Sequence, residues 1–161
     1  MDSEFVVRRA GPSDADELAD LHLRCRRETY AGLLSASFFE KQNLADGTAQ
    51  WSRILTGPHA DRHWVAVHEG RLVGFAGSVP PVPGTSSPAE LWGIYLLSAY
   101  QGSGLGQQLL EATIGAESAT LWVARDNTRA QAFYRRNGFA ASGREKILDD
   151  WEGMTVIQMV R

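Results

Sequence analysis

Between Glu90 and Ala124 the sequence spells out a strand, a glycine loop, a helix and a second strand in close succession. Glu90–Leu97 is a short apolar run of strand length. Tyr100-Gln101-Gly102-Ser103-Gly104-Leu105-Gly106-Gln107-Gln108 follows it. Leu105, Leu109, Leu110, Thr113 and Ile114 then recur as one face of a helix, which the pattern carries from Leu105 to Glu117. Leu121-Trp122-Val123-Ala124 is the return strand. Two strands joined through a helix lie parallel, by the right-handed crossover rule. The rest of the chain must therefore build around a sheet with a parallel step inside it.

The loop itself has a chemistry. Glycines where a strand turns into a helix let the backbone approach a bulky ligand, because no Cβ stands in the way. The first amides of the helix have no partner inside it, and the helix dipole places partial positive charge there. Such a loop suits a phosphate or pyrophosphate. No Lys-Ser or Lys-Thr follows the last glycine, so the groups a P-loop uses for β/γ-phosphates and Mg²⁺ are missing. The spacing of Gly102, Gly104 and Gly106 also departs from the dinucleotide fingerprint, which leaves two residues before its last glycine. What fits is Gln-x-x-Gly-x-Gly at Gln101, Gly104 and Gly106, set against the plainer reading of a glycine-rich turn that only caps a helix.

Around this centre, Glu4–Arg9 reads as a first strand, broken by Gly11-Pro12. Ser13, with Asp16 three residues on, looks like the N-cap of a helix running to about Tyr30 on Leu18, Leu21 and Cys25. Two short helical patterns follow, one from Ser35 and one from Asp46. Trp64–Val67 and Leu72–Ala76 flank Glu69-Gly70 as a hairpin. Pro80, Pro81, Pro83 and Pro88 mark a surface excursion. Asn127–Asn137 is a further helix closed by Gly138, and Phe139–Ile147 and Met154–Val160 form a last antiparallel pair. At 161 residues this is a single domain, 1–161, of mixed α/β class: a twisted, mostly antiparallel sheet with one parallel strand–helix–strand step and helices on both faces.

Composition narrows the function. A net charge of −3 argues against a nucleic-acid partner, which calls for a basic stripe. Nothing in the chain is long and apolar enough for a membrane span, and no secretory leader is evident. The single Cys25 forms no intramolecular disulfide, so a cytoplasmic location is the simplest expectation. His22, His59, His63 and His68 lack metal-ligand spacing, and no metal is expected.

Asn127-x-x-Ala130-x-x-Phe133-Tyr134-x-x-x-Gly138-Phe139 is a second constellation downstream of the loop. Together, in this order around strand–helix–strand, the two segments resemble the GNAT acyltransferases. The resemblance is strongest from Glu90 to Phe139 and weak from Ala31 to Ala60. Ser98 departs from the proline that many members carry after the central strand, which removes no hydrogen-bond donor. The resemblance implies an acetyl-CoA-dependent N-acetyltransferase acting on a primary amine of a small molecule or protein. It implies that backbone groups of Ile94 and Leu96 take the pantetheine arm as an added strand. Gln101, Gly102, Ser103, Gly104, Leu105, Gly106 and Gln107 would hold the pyrophosphate through their amides. Asn127, Ala130 and Phe133 would line the same cofactor.

The resemblance further implies that two residues carry catalysis. Tyr134, a phenol protonated at neutral pH, suits a proton donor to the leaving thiolate, and its plainer reading is a core tyrosine bonded to a carbonyl. Glu90 suits a general base, and its plainer reading is a strand-end carboxylate satisfied by solvent. Tyr30, Phe38, Phe39 and Trp51 are candidate acceptor walls, with Asp149, Asp150 and Glu152 to draw in a cation. The alternative from another class is a non-catalytic sensor that binds acetyl-CoA and transfers nothing. A nucleotide-binding regulator is the third reading. Dimerisation is common among similar enzymes, although nothing in this chain marks an interface.

Overall fold

The computed structural model describes residues 4–161. Strand β1 (Phe5–Arg9) leads into helix α1 (Ala15–Tyr30), followed by the short α2 (Ala36–Glu40) and α3 (Leu44–Thr56). The hairpin of β2 (His63–His68) and β3 (Arg71–Val79) comes next, then β4 (Ala89–Leu96), α4 (Leu105–Thr113) and β5 (Ala119–Ala124). Helix α5 (Thr128–Arg136) precedes a closing pair, β6 (Ala140–Leu148) and β7 (Met154–Val160). The seven strands form one sheet in the order β1-β2-β3-β4-β5-β7-β6. Every neighbouring pair is antiparallel except β4 and β5.

Local chemistry explains most boundaries, and it moves a few of the expected ones. The start of α1 is organised by Asp14 and not by Ser13 and Asp16. Pro12–Asp14 is a 3₁₀ turn, and the Asp14 carboxylate accepts from the Gly11 N–H at 2.8 Å and from both guanidinium nitrogens of Arg8 at 2.8 and 2.9 Å. The Arg8 hydrogen bonds hold that carboxyl below its usual range. Ser35 caps α2 as its sequence suggests. The next helix starts two residues before Asp46, because the Asn43 side chain accepts from the Asp46 N–H at 2.8 Å. Glu69 and Gly70 both take positive φ, which the two-residue hairpin turn requires. Helix α4 stops at Thr113, whose hydroxyl turns back to the Leu109 carbonyl at 2.7 Å.

The core lies on both faces of β2 and β3. Seven consecutive residues of β3, Leu72–Ser78, are buried, as a strand covered on both sides must be. Phe75 faces His22 of α1 and Trp51 of α3, with ring centroids 5.0 Å away in each case. The opposite face meets α4: a Cβ built on Gly74 would stand 3.3 Å from Leu109. Leu18, Trp51, Phe75, Leu105 and Leu109 belong to this cluster. A second cluster gathers Leu91, Leu110, Leu121, Tyr134, Phe139 and Met159. Helix α4 contributes to both, so it ties the two halves of the sheet together.

Candidate active site

The halves part where the parallel step lies. Strands β4 and β5 pair only at Ala89 with Ala119 and Glu90 with Thr120. Beyond that a cleft of about 580 Å³ opens, lined by β4 from Trp92 to Leu96 and by Trp122 and Val123 of β5. The Leu97 N–H donates to the Val73 carbonyl at 3.0 Å. Antiparallel bonding alternates, so Tyr95 and Gly93 also turn their backbone groups to β3. Ile94 and Leu96 therefore turn theirs to the β5 side, into the cleft. The Leu96 carbonyl accepts from the Gln101 side chain at 3.3 Å, which tethers the glycine loop to this edge.

The loop meets the cleft with Gln101, Gly102, Gly104, Gly106 and Gln107. Gly102 and Gly104 sit at φ +82° and +89°, with open space where a Cβ would stand, so backbone conformation is what demands glycine there. Among the described residues, the N–H groups of Gly102, Ser103, Gly104, Gly106 and Gln107 donate to nothing, and that of Leu105 has only the Ser103 hydroxyl at 3.4 Å. The first internal bond is Gln108 N–H to the Gly104 carbonyl. The Leu105 side chain is wholly buried in the core and contributes only its backbone here. Unpaired donors clustered at a helix start suit a diphosphate.

Helix α5 supplies the opposite wall. Asn127 caps it, its side-chain oxygen accepting from the Ala130 N–H at 3.1 Å, and the residue lines the cleft with its amide N–H₂ unbonded among the described residues. Ala130 lines the cleft as well, and the Phe133 ring lies against Gly106. Arg129 and Arg136 stand on the rim, whereas Arg135 turns back to Gln131. Tyr134 is only 8% exposed, lines the cleft, and its hydroxyl has no hydrogen-bond partner among the described residues. Burial, with a contribution from Tyr30, drives its pKa well above the ordinary phenol value. Glu90 is absent from the lining. It stands at the paired end of β4, about 13 Å of strand from Ile94.

On the α1 face of the sheet the cleft meets residues the sequence did not single out. Tyr95 lies opposite Phe75 in register and 5.3 Å from the His22 ring, so its side chain points away from that of Leu96. Its hydroxyl is 3.4 Å from that of Tyr30. Glu28 also lines this mouth, but its carboxylate already accepts from the Ser98 N–H at 2.8 Å. Period-two alternation along β4 and four-residue spacing along α1 would have found Tyr95 beside Tyr30, had the face of each element been known. Trp51 is a core residue, 2% exposed, and walls no acceptor. Phe38 packs on Trp151 at 5.0 Å, and Trp151 on Tyr30 at 5.5 Å. Glu152 is taken up in structure, its carboxylate accepting from the Ser35 N–H and hydroxyl at 2.7 and 2.6 Å.

A sheet that splays beside an open glycine loop matches a known family at the level of sequence, for the acetyltransferase (GNAT) family model aligns with residues 16–139. The chain belongs to the GNAT family of acetyltransferases. An uncharacterized N-acetyltransferase of Mycobacterium tuberculosis is 33% identical over 141 residues, covering 81% of this chain and 86% of the relative. One from Archaeoglobus fulgidus is 26% identical over 153 residues, 86% of this chain and 99% of its own length. The crystal structure of the PaiA N-acetyltransferase from Thermoplasma acidophilum, in complex with coenzyme A, shares the fold with a TM-score of 0.68. It is 19% identical and covers 96% of this chain and 98% of its own. The mostly antiparallel seven-stranded sheet, its single parallel pair and the helices on both faces are thus the GNAT fold.

Proposed function

We propose that this N-acetyltransferase takes acetyl-CoA along the gap between β4 and β5 and passes the acetyl group directly to a primary amine. The observation that carries this reading is the continuity of unpaired backbone donors. They run from Leu96 and Ile94 on the edge of β4 to the amides of Gly102, Ser103, Gly104, Gly106 and Gln107 at the start of α4, with one unbonded phenol beside them. Acetyl-CoA would supply the thioester. The loop amides fit its pyrophosphate, and the open edge of β4 fits the amide-bearing pantetheine arm as an added strand. Asn127 offers its free N–H₂ to the same arm.

For the transfer, the Leu96 N–H suits the negative charge that gathers on the thioester oxygen. The Tyr134 hydroxyl holds a proton at every working pH and gives it to the departing sulfur as the C–S bond breaks, and the proton that the attacking nitrogen sheds as the C–N bond forms returns through solvent to the phenolate. The acceptor amine enters from the α1 face, between Tyr30, Tyr95 and Trp92. An apolar aromatic mouth favours the uncharged amine, so the ammonium proton leaves before binding. Glu28 is occupied by the Ser98 N–H and Glu90 lies outside the lining, so the position of Glu90 supports a strand-end carboxylate and not a base.

The test is thiol release from acetyl-CoA by purified protein across a panel of primary amines. Amine-dependent free coenzyme A is the expected result. Uptake of acetyl-CoA without release on any amine would mean binding without transfer, and no uptake at millimolar concentrations would end the reading altogether.

A further inference from the structure

Strand β4 carries an extra residue. Across from β3, Leu91 pairs with Ser78 and Gly93 with Gly77, so Trp92 between them has no ladder partner among the described residues. One extra residue in an antiparallel pair is a β-bulge, and it shifts everything downstream by one position. Continued without it, the register of Leu91 and Ser78 would set Ile94 against Phe75 and Tyr95 against Gly74. In the fold Tyr95 stands against Phe75 and Leu96 against Gly74. In the unbulged register the backbone groups of Ile94 and Leu96 would turn to β3, and those of Gly93 and Tyr95 to the cleft. The bulge at Trp92 thus decides which N–H groups the cleft receives.

The bulged residue is tied to a strand two places away. The Trp92 indole N–H donates to His63 Nε2 on β2 at 2.9 Å, and His63 Nδ1 lies 3.0 Å from the His59 carbonyl oxygen. An indole N–H only donates and a carbonyl only accepts. Both contacts are therefore met by one form of the ring alone, the neutral imidazole with its proton on Nδ1. His63 is 4% exposed, and burial lowers its pKa, which keeps Nε2 bare. His63 stands opposite Gly77 in the β2–β3 register, and the bond to Trp92 crosses over that glycine. A Cβ built on Gly77 would fall on Trp92 Nε1 and stand 2.6 Å from His63 Cδ2. Trp51 of α3 packs over the pair, its ring centroid 6.0 Å from that of His63 and 5.7 Å from that of Trp92.

Resting on the acetyl-transfer reading above, we propose that His63 is a positioning residue for the reaction. By accepting the indole N–H of Trp92 it pins the bulge of β4. The pinned bulge holds the backbone groups of Ile94 and Leu96 toward the cleft, where the pantetheine arm and the thioester oxygen are received. His63 touches neither cofactor nor acceptor and acts through Trp92. A slip of β4 into the unbulged register draws Trp92 away and leaves the buried Nε2 without its donor, which opposes the slip.

Two substitutions separate this role from packing. His63→Gln offers Trp92 an amide oxygen in place of Nε2, and His63→Leu offers no acceptor. Both give up the Nδ1 bond to His59, so the difference between them reads the Trp92 bond alone. Calorimetric titration compares acetyl-CoA with 3′-phosphoadenosine 5′-diphosphate, which carries the pyrophosphate but no pantetheine arm. In His63→Leu the acetyl-CoA Kd should rise about tenfold, and in His63→Gln it should return to within about twofold of wild type. The Kd of the nucleotide should stay the same in all three proteins, because it meets the loop and not the edge of β4. The Trp92 indole proton, identified by its loss from the NMR spectrum in Trp92→Phe, should exchange slowly in wild type and His63→Gln and rapidly in His63→Leu. An acetyl-CoA Kd unchanged in His63→Leu, a His63→Gln no tighter than His63→Leu, equal weakening of both ligands, or rapid exchange in wild type would overturn the proposal. Failure of the wild type to take up acetyl-CoA strikes the acetyl-transfer reading itself, and it shows before any variant is compared.

Discussion

Tyr134 and His22 are buried titratable groups with opposite consequences. Burial raises the Tyr134 phenol above its ordinary value, so the proposed acid stays protonated throughout the working range. Activity should therefore rise with pH as the acceptor amine loses its proton, with no descending limb from the enzyme below about pH 10. Tyr134→Phe should lower kcat about 100-fold while leaving the acetyl-CoA Kd nearly unchanged. Steady-state kinetics paired with a binding titration checks both halves, and an unaltered kcat removes the phenol from the mechanism. For His22 the sign runs the other way. Its folded pKa lies near 3 against an ordinary 6.5, because burial among Trp51, Phe75 and Tyr95 penalises the cation. The unfolded chain takes the proton first as pH falls, so stability is complete above pH 6.5 and drains away between there and pH 3. From pH 7 to pH 5 this group should cost about 2 kcal/mol. His22→Leu should lose correspondingly less stability over that interval, as measured by urea unfolding at the two pH values. The position of Tyr134 on the cleft was legible in the sequence because its segment is spaced like the family's. Tyr95 was not, because its place beside Tyr30 depends on which faces of α1 and β4 meet.

Two glycines that look alike in the sequence serve the elements differently. Gly104 has empty space at its Cβ position and a left-handed φ, so it is needed for the turn into α4. Gly74 has an ordinary strand conformation and no room: an added Cβ would lie 2.7 Å from Leu96 Cδ1 and 2.9 Å from the Tyr95 carbonyl oxygen. That second contact is backbone of the strand whose opposite edge lines the cleft. Gly74→Ala should cost about 1–3 kcal/mol of stability. By pushing on β4 at Leu96 it should also lower kcat/KM at a temperature where the variant is still folded. A urea midpoint equal to wild type would mean the strand yields without strain. Periodicity located the strand–helix–strand segment, the β2–β3 hairpin and the closing β6–β7 pair. It misplaced the starts of α1 and α3, because those caps depend on single side chains. Asp14 is drawn back to Gly11 and Arg8, and Asn43 reaches the Asp46 N–H. It also gave no sign that β4 and β5, parallel by topology, separate after two pairs of residues. That separation makes the cleft, and it arises from how two cores pack and not from any local motif.

At the scale of the whole molecule the sheet is two arms hinged at Ala89–Glu90 and Ala119–Thr120, with α4 anchored in both cores. Among the described residues, the long edge of β4 facing the gap has no strand partner, and the amides at the head of α4 have no backbone acceptor. A ligand that completes both edges can bind only the folded chain, where the two arms hold them a fixed distance apart. Mass action then predicts its effect on stability. Acetyl-CoA at 100 times its Kd should add about 2.7 kcal/mol, which for a chain of this length raises Tm by roughly 5–10 °C. ATP and NAD at the same concentration share the charged phosphates but lack the pantetheine arm, so they can satisfy the loop and not the strand edge. Each should give a clearly smaller shift. A thermal-denaturation series with the three ligands separates the contributions: equal shifts would mean that the loop amides alone do the binding. A large shift confined to acetyl-CoA requires the open edge of β4 as well, and with it the alignment beside Leu96 and Tyr134 that the proposed transfer calls for.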